Sequence, residues 1–233
     1  MKYFMAGIKG SGMSGLACML HDLGHEIIGY DDLTYFAVTE PPLRERNIPI
    51  YYDIENLKDD MTVIHTSAIH EDHRVIKRAR ELNIPVKEYF QMIGEFTRMY
   101  DSICISGTHG KTTTTSMLSR ILDNTIGTNY LIGDGTGHIN KDSKNFVIES
   151  CEFERHFLNY DPKYAIITNI ELDHVDCYKN IDEIIIALSG PKVKILNGFR
   201  AVFYLDKDIK DRTGWLWEQR ERLTSSDRET SLM

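Results

Sequence analysis

Residues 105–120 read ISGTHGKTTTTSMLSR, and this stretch decides the fold. The run before it, residues 102–105, has the apolar character of a buried strand. After it, residues 116–122 have the spacing of an amphipathic helix. Between them stand Gly107, Thr108, His109, Gly110, Lys111, Thr112 and Thr113. Strand, glycine-bearing turn, then lysine and a hydroxyl at a helix start make a phosphate cradle. The glycines let backbone N–H groups approach phosphate oxygens, Lys111 adds a full positive charge, and Thr112 offers an oxygen to magnesium. The loop is shortened: the usual pattern wants glycine at position 105, where isoleucine stands. A turn that merely opens a helix is the alternative. The run Thr112–Thr115 counts against it, because threonine is a mediocre helix former.

The chain of 233 residues is long enough for one large or two small domains, each with its own core. A formal net charge of -8 argues against general nucleic-acid binding but not against a phosphate gripped locally. Cys18, Cys104, Cys151 and Cys177 lack paired metal spacing and read as reduced thiols. No apolar run approaches the roughly 20 residues that span a bilayer, and there is no secretory signal. The expectation is a soluble, cytoplasmic protein without membrane or nucleic-acid partners.

The chain opens on a short apolar strand, Lys2–Ala6, followed by Gly10, Gly12 and Gly15 in G-x-G-x-x-G spacing. A helix is expected over residues 13–23 and a strand over Glu26–Tyr30, ending at Asp31. Asp31 lies about 20 positions after the glycines, as in a dinucleotide site. Alone, this fingerprint fits a nicotinamide oxidoreductase as well as any other pyrophosphate binder. Further strands at 47–51, 62–65 and 85–87 alternate with helices at 72–82 and 89–99, which implies a parallel sheet covered on both faces. Ser67 follows a strand end, where ligands of such sheets bind. His65, His70 and His73 read as surface or loop residues.

Residues 126–140, IGTNYLIGDGTGHIN, read as a glycine-rich loop. Strands at 146–148 and 164–168 end near Glu149 and His174. Acidic and imidazole groups at strand ends beside a phosphate loop suit a magnesium shell.

Four stretches together carry a family resemblance: GIKGSGMSGLA, SGTHGKTTTTSM, IESCEFERHF and IITNIELDHVD. In this order and spacing they resemble the Mur ligase family, from residue 1 to about residue 187, and the family's own G-T-x-G-K-T loop accounts for the shortened cradle. The resemblance implies an α/β protein: a Rossmann-like parallel-sheet domain at 1–99, then a truncated P-loop ATP-binding domain at 100–188. It implies an ATP-dependent ligase of peptidoglycan synthesis, joining L-alanine to UDP-N-acetylmuramate through an acyl phosphate, with Mg2+. Gly10, Ser11, Gly12, Met13 and Ser14 would cradle the UDP pyrophosphate, with Asp31 and Ser67 nearby. Gly107 to Thr113 would hold ATP, Lys111 would neutralise its β/γ-phosphates, and Thr112, Glu149 and His174 would ligate magnesium. His156 would face the sugar.

The resemblance stops after about residue 188, and residues 189–233 read as a polar, atypical tail. The expectation is a chain truncated relative to its family and inactive alone. A non-catalytic module holding UDP-sugar and ATP is the alternative. A nicotinamide enzyme comes last, since hydride transfer has no use for the loop at Lys111.

Overall fold

The computed structural model describes residues 1–150 and 159–168. His156 and His174, Cys151 and Cys177, and the 189–233 segment lie outside the described residues.

The first sheet is built by β1 (Lys2–Ala6), β2 (Glu26–Tyr30), β3 (Ile50–Tyr51), β4 (Thr62–His65) and β5 (Val86–Glu88). Its order is β3-β2-β1-β4-β5 and every pair is parallel. The chain therefore moves outward from β1, returns to β4, and leaves a crevice at the carboxyl ends of β1 and β4. Connecting helices are α1 (Ser11–Asp22), α2 (Glu40–Glu45) and α3 (Arg74–Glu81). A fourth helix, α4 (Tyr89–Met99), leads into the second sheet.

That sheet contains β6 (Asp101–Ser106), β7 (Asn129–Leu131), β8 (Gly137–His138), β9 (Asn145–Glu149) and β10 (Tyr164–Ile167), in the order β10-β6-β9-β7-β8. Only the β7–β8 pair is antiparallel. Helix α5 (Lys111–Asp123) follows β6. The expected α/β architecture, a Rossmann-like parallel sheet followed by a second α/β sheet, is what the chain adopts.

Two local expectations are corrected. Residues 126–140 are not all loop, because β7 joins β9 in parallel and turns back as β8. That pairing reaches across the sequence, beyond what a glycine-rich composition can reveal. His65 is buried in β4, its Nδ1 2.9 Å from the Thr66 carbonyl oxygen. His73 does lie in a loop, as the N-cap just before α3, where its Nδ1 accepts the Val75 N–H.

Helix α1 departs from the single apolar stripe its sequence implies. Met13 through Leu20 are buried without interruption. The helix is enclosed on both sides: the first sheet covers one face and the β7–β8 hairpin approaches the other. One core therefore includes Met5 and Ile64 of the first sheet, Met13, Leu16 and Leu20 of α1, and Leu131, Phe146 and Ile148 of the second. Phe96 of α4 packs on Phe146 with ring centroids 5.9 Å apart. Each such fully buried aromatic or aliphatic side chain is worth about 1.5–3 kcal/mol. No helix among the described residues is long and apolar enough to cross a membrane.

Candidate functional site: two glycine turns at helix starts

The phosphate loop leaves β6 at Ser106. Gly107 and Gly110 have φ of 129° and 80°, values that favour glycine. Gly110 is the N-cap of α5, and its carbonyl accepts the Thr114 N–H at 2.9 Å. Among the described residues no backbone acceptor takes the N–H groups of Gly110, Thr112 or Thr113. The start of α5 thus presents donors and the positive end of the helix dipole. Lys111 folds back over the loop, its Nζ donating to the carbonyls of Gly107 at 2.6 Å and Thr108 at 3.3 Å. Thr168, just after β10, donates to the His109 carbonyl at 2.5 Å and fastens the outer edge of the loop.

Thr112 and Glu149 are brought together. The Thr112 hydroxyl donates to Glu149 Oε1 at 3.1 Å, and Gly133 N–H donates to Glu149 Oε2 at 2.9 Å. Two hard oxygens at this separation fit one magnesium ion, since Mg–O distances of 2.0–2.1 Å give an octahedral edge of about 2.9 Å. No group of three or more His, Cys, Asp or Glu among the described residues could hold a metal, and Thr112 with Glu149 offers two oxygens. The threonine run is divided in its use. Thr112 faces Glu149, whereas Thr115 bonds back to the Lys111 carbonyl at 2.8 Å within its own helix.

At α1, Gly7 has φ of 80° and a Cβ there would lie 2.2 Å from Thr66 Cγ2, which explains glycine at the β1–β4 crevice. Gly10 and Ser11 are exposed, and no acceptor among the described residues takes the N–H groups of Ser11, Gly12 or Met13. Met13 and Ser14 face inward: Met13 is part of the core, and the Ser14 hydroxyl donates to the Ser11 carbonyl at 3.0 Å. Their contribution to an anion is through the backbone. Asp31 is buried, and its two oxygens accept the N–H groups of Lys9 at 2.9 Å and Leu33 at 3.0 Å. It latches the glycine turn to the end of β2. Ser67 lies across the sheet in a 580 Å³ cleft shared with His70, Arg80 and Glu88.

One pair escapes the sequence reading. The Lys9 side chain is 1% exposed and its Nζ sits 2.9 Å from Glu40 Oε1. The same ammonium donates to the Leu33 and Tyr35 carbonyls, both at 2.7 Å. Burial alone would push the Glu40 carboxyl up, but hydrogen bonds from Arg44, Lys9 and the Ala37 N–H pull it down to about 2. This pair pins residues 33–40 over the glycine turn. Its only sequence signal is lysine inside a glycine fingerprint. Burial pushes the Cys18 thiol up to about 11 and that of Cys104 up to about 12, so neither offers a thiolate near neutrality.

Comparison with known proteins agrees with this geometry. Residues 2–101 match the catalytic domain of the Mur ligase family and residues 105–229 match the Mur ligase middle domain. The second match takes in most of the 189–233 segment that the motifs alone set apart. The UDP-N-acetylmuramate-alanine ligase of Thermotoga maritima is 29% identical, with a TM-score of 0.71 over 88% of this chain and 49% of its own. The murein peptide ligase of Psychrobacter arcticus is 26% identical, with a TM-score of 0.64 over 81% of this chain and 46% of its own. The UDP-N-acetylmuramate:L-alanyl-gamma-D-glutamyl-meso-diaminopimelate ligase of Neisseria meningitides shares the fold at 21% identity, with a TM-score of 0.70 over 91% of this chain and 74% of its own. This chain spans about half the length of the first two, at 49% and 46%. With both halves matched in order along the sequence, the chain belongs to the Mur ligase family, whose members are ATP-dependent ligases.

Proposed function

We propose that this chain is the nucleotide-handling part of a ligase that joins L-alanine to UDP-N-acetylmuramate in peptidoglycan synthesis. Residues 1–99 hold the sugar nucleotide and the region from residue 100 holds ATP with magnesium. The observation that carries the reading is the Thr112 hydroxyl set 3.1 Å from the Glu149 carboxylate, beside the N–H groups of Gly110, Thr112 and Thr113, which no backbone acceptor takes among the described residues.

The backbone N–H groups of Gly110, Thr112 and Thr113 orient the terminal phosphates of ATP. Lys111 exchanges its loop carbonyls for phosphate oxygens and offsets the charge gathering on the transferred group. Thr112 and Glu149 hold magnesium, with His174 as a further ligand, and the ion supplies added charge neutralisation there. The lactyl carboxylate of the sugar attacks the γ-phosphorus, ADP leaves, and the resulting acyl phosphate is open to the amine of L-alanine. At the other turn, Gly10 to Ser14 hold the UDP pyrophosphate through backbone N–H groups. Asp31 keeps that turn in shape, and Ser67 and His156 are assigned to the sugar nucleotide.

A second reading is a module that holds both nucleotides without turnover; the chain spans 49% of the length of the Thermotoga maritima ligase. Phosphate release on adding ATP, UDP-N-acetylmuramate and L-alanine selects the first reading, and its absence selects the second. Calorimetry is expected to show UDP-N-acetylmuramate binding and no NADH binding; the reverse discards the assignment of the first sheet. Lys111→Ala is expected to abolish ATP binding, and an unchanged affinity would mean the loop holds no phosphate.

A further inference from the structure

The glycines of residues 132–137 pack against two places at once. At one end a Cβ on Gly133 would lie 2.5–2.6 Å from the carboxylate atoms of Glu149. Gly133 has no positive φ, so a Cβ there would act on space and not on backbone conformation, displacing the far end of the Glu149 side chain. At the other end a Cβ on Gly137 would lie 2.1 Å from the Gly15 carbonyl oxygen in α1. Gly135, at φ of 96°, lies against Ser14 and the Ser11 carbonyl. The third glycine of the first fingerprint, Gly15, lies against Leu131 and Gly135.

The turn between these contacts is stiff. Ile132 N–H donates to the Thr136 carbonyl at 2.9 Å and Gly135 N–H to the Ile132 carbonyl at 3.1 Å. The Asp134 carboxylate accepts the Thr136 N–H at 2.8 Å. These three bonds tie the Gly137 end of the turn to its Gly133 end.

We propose that residues 132–137 are a positioning element: Gly133 sets the Glu149 carboxylate for magnesium, and the turn takes its own place from the first turns of α1. The inference rests on the reading of Thr112 and Glu149 as magnesium ligands. A carboxylate in a metal shell must be held in one orientation, and the N–H of Gly133 fixes the oxygen that Thr112 does not. The helix start assigned to the sugar nucleotide thereby supports the metal side of the ATP site.

The test is ATP binding by the full chain, measured by calorimetry across a series of free Mg2+ concentrations and in EDTA. Gly133→Ala and Gly137→Ala are each expected to raise the half-saturating Mg2+ concentration about tenfold or more. Affinity for ATP in EDTA should stay at the wild-type value, a split that general loosening of the fold would not give. Wild-type protein supplies a measurement that needs no variant. The Gly133 amide resonance of 15N-labelled protein is expected to shift when Mg2+ is added to the ATP complex. An unmoved resonance, or folded variants with the wild-type Mg2+ midpoint, overturns the inference alone. Wild-type protein whose ATP affinity ignores Mg2+ overturns the magnesium reading and this inference with it.

Discussion

The two glycine turns of this protein share a plan and use it differently. Each follows the first strand of its sheet and opens a helix with N–H groups that take no backbone acceptor among the described residues, those of Ser11 to Met13 in one and of Gly110, Thr112 and Thr113 in the other. Each also contains a lysine. Lys9, before α1, is sealed inside and spent on Glu40 and two carbonyls of the neighbouring loop. Lys111, at the first position of α5, is half-buried and rests on its own loop. The hydroxyls differ in the same way: Ser14 closes on its own helix turn, whereas Thr112 reaches a carboxylate on another strand. In both sheets a glycine turn thus presents backbone N–H groups at a helix start, but the second also brings Lys111, Thr112 and Glu149 together beside them.

The same substitution at both lysines breaks this comparison most sharply. Lys9→Met leaves the buried Glu40 charge with only Arg44 opposite, and about 3 kcal/mol of stability is expected to go, read as a lower urea midpoint. Lys111→Met is expected to leave that midpoint in place and remove ATP binding. Equal losses of stability would erase the distinction.

Acid should act on the first turn in the same direction. The Glu40 carboxyl is held at about 2 against an ordinary 4.5. Its stabilisation is complete above the ordinary value and is lost as pH falls toward the folded one. About 3 kcal/mol at most is available in that window. The urea midpoint should therefore fall between pH 4.5 and 2 in the wild type, and less steeply in Glu40→Gln.

Smaller effects sharpen each turn separately. Thr112→Val removes one magnesium oxygen and is expected to weaken Mg2+-dependent ATP binding about tenfold, leaving binding in EDTA unchanged. Gly12→Ala places a Cβ 2.8 Å from the Tyr89 ring, whose far end can shift. A loss of less than about 1 kcal/mol in sugar-nucleotide binding is expected there by calorimetry.

Most strands and helices were legible because each carries its own apolar period: β1, β2, β4 and α4 lie where their residues place them. Helix α2 was not, being six residues long with two prolines at its start. Strand β7 was hidden among glycines, since only its pairing with β9 makes it a strand. The phosphate loop was legible for the opposite reason. Its glycines, lysine and threonine are neighbours in sequence, so their chemistry is local.

What the sequence alone determined is therefore the α/β alternation, the two glycine turns at helix starts and the family to which their motifs belong. Those follow from nearest-neighbour sterics, hydrophobic period and adjacent functional groups. Tertiary structure decided which charges are spent inside. It paired Lys9 with Glu40, turned Thr112 toward Glu149, and set Gly137 on the backbone of Gly15. Each of those contacts joins residues distant along the chain, and only the packing of strands and helices into layers fixes the distance between them.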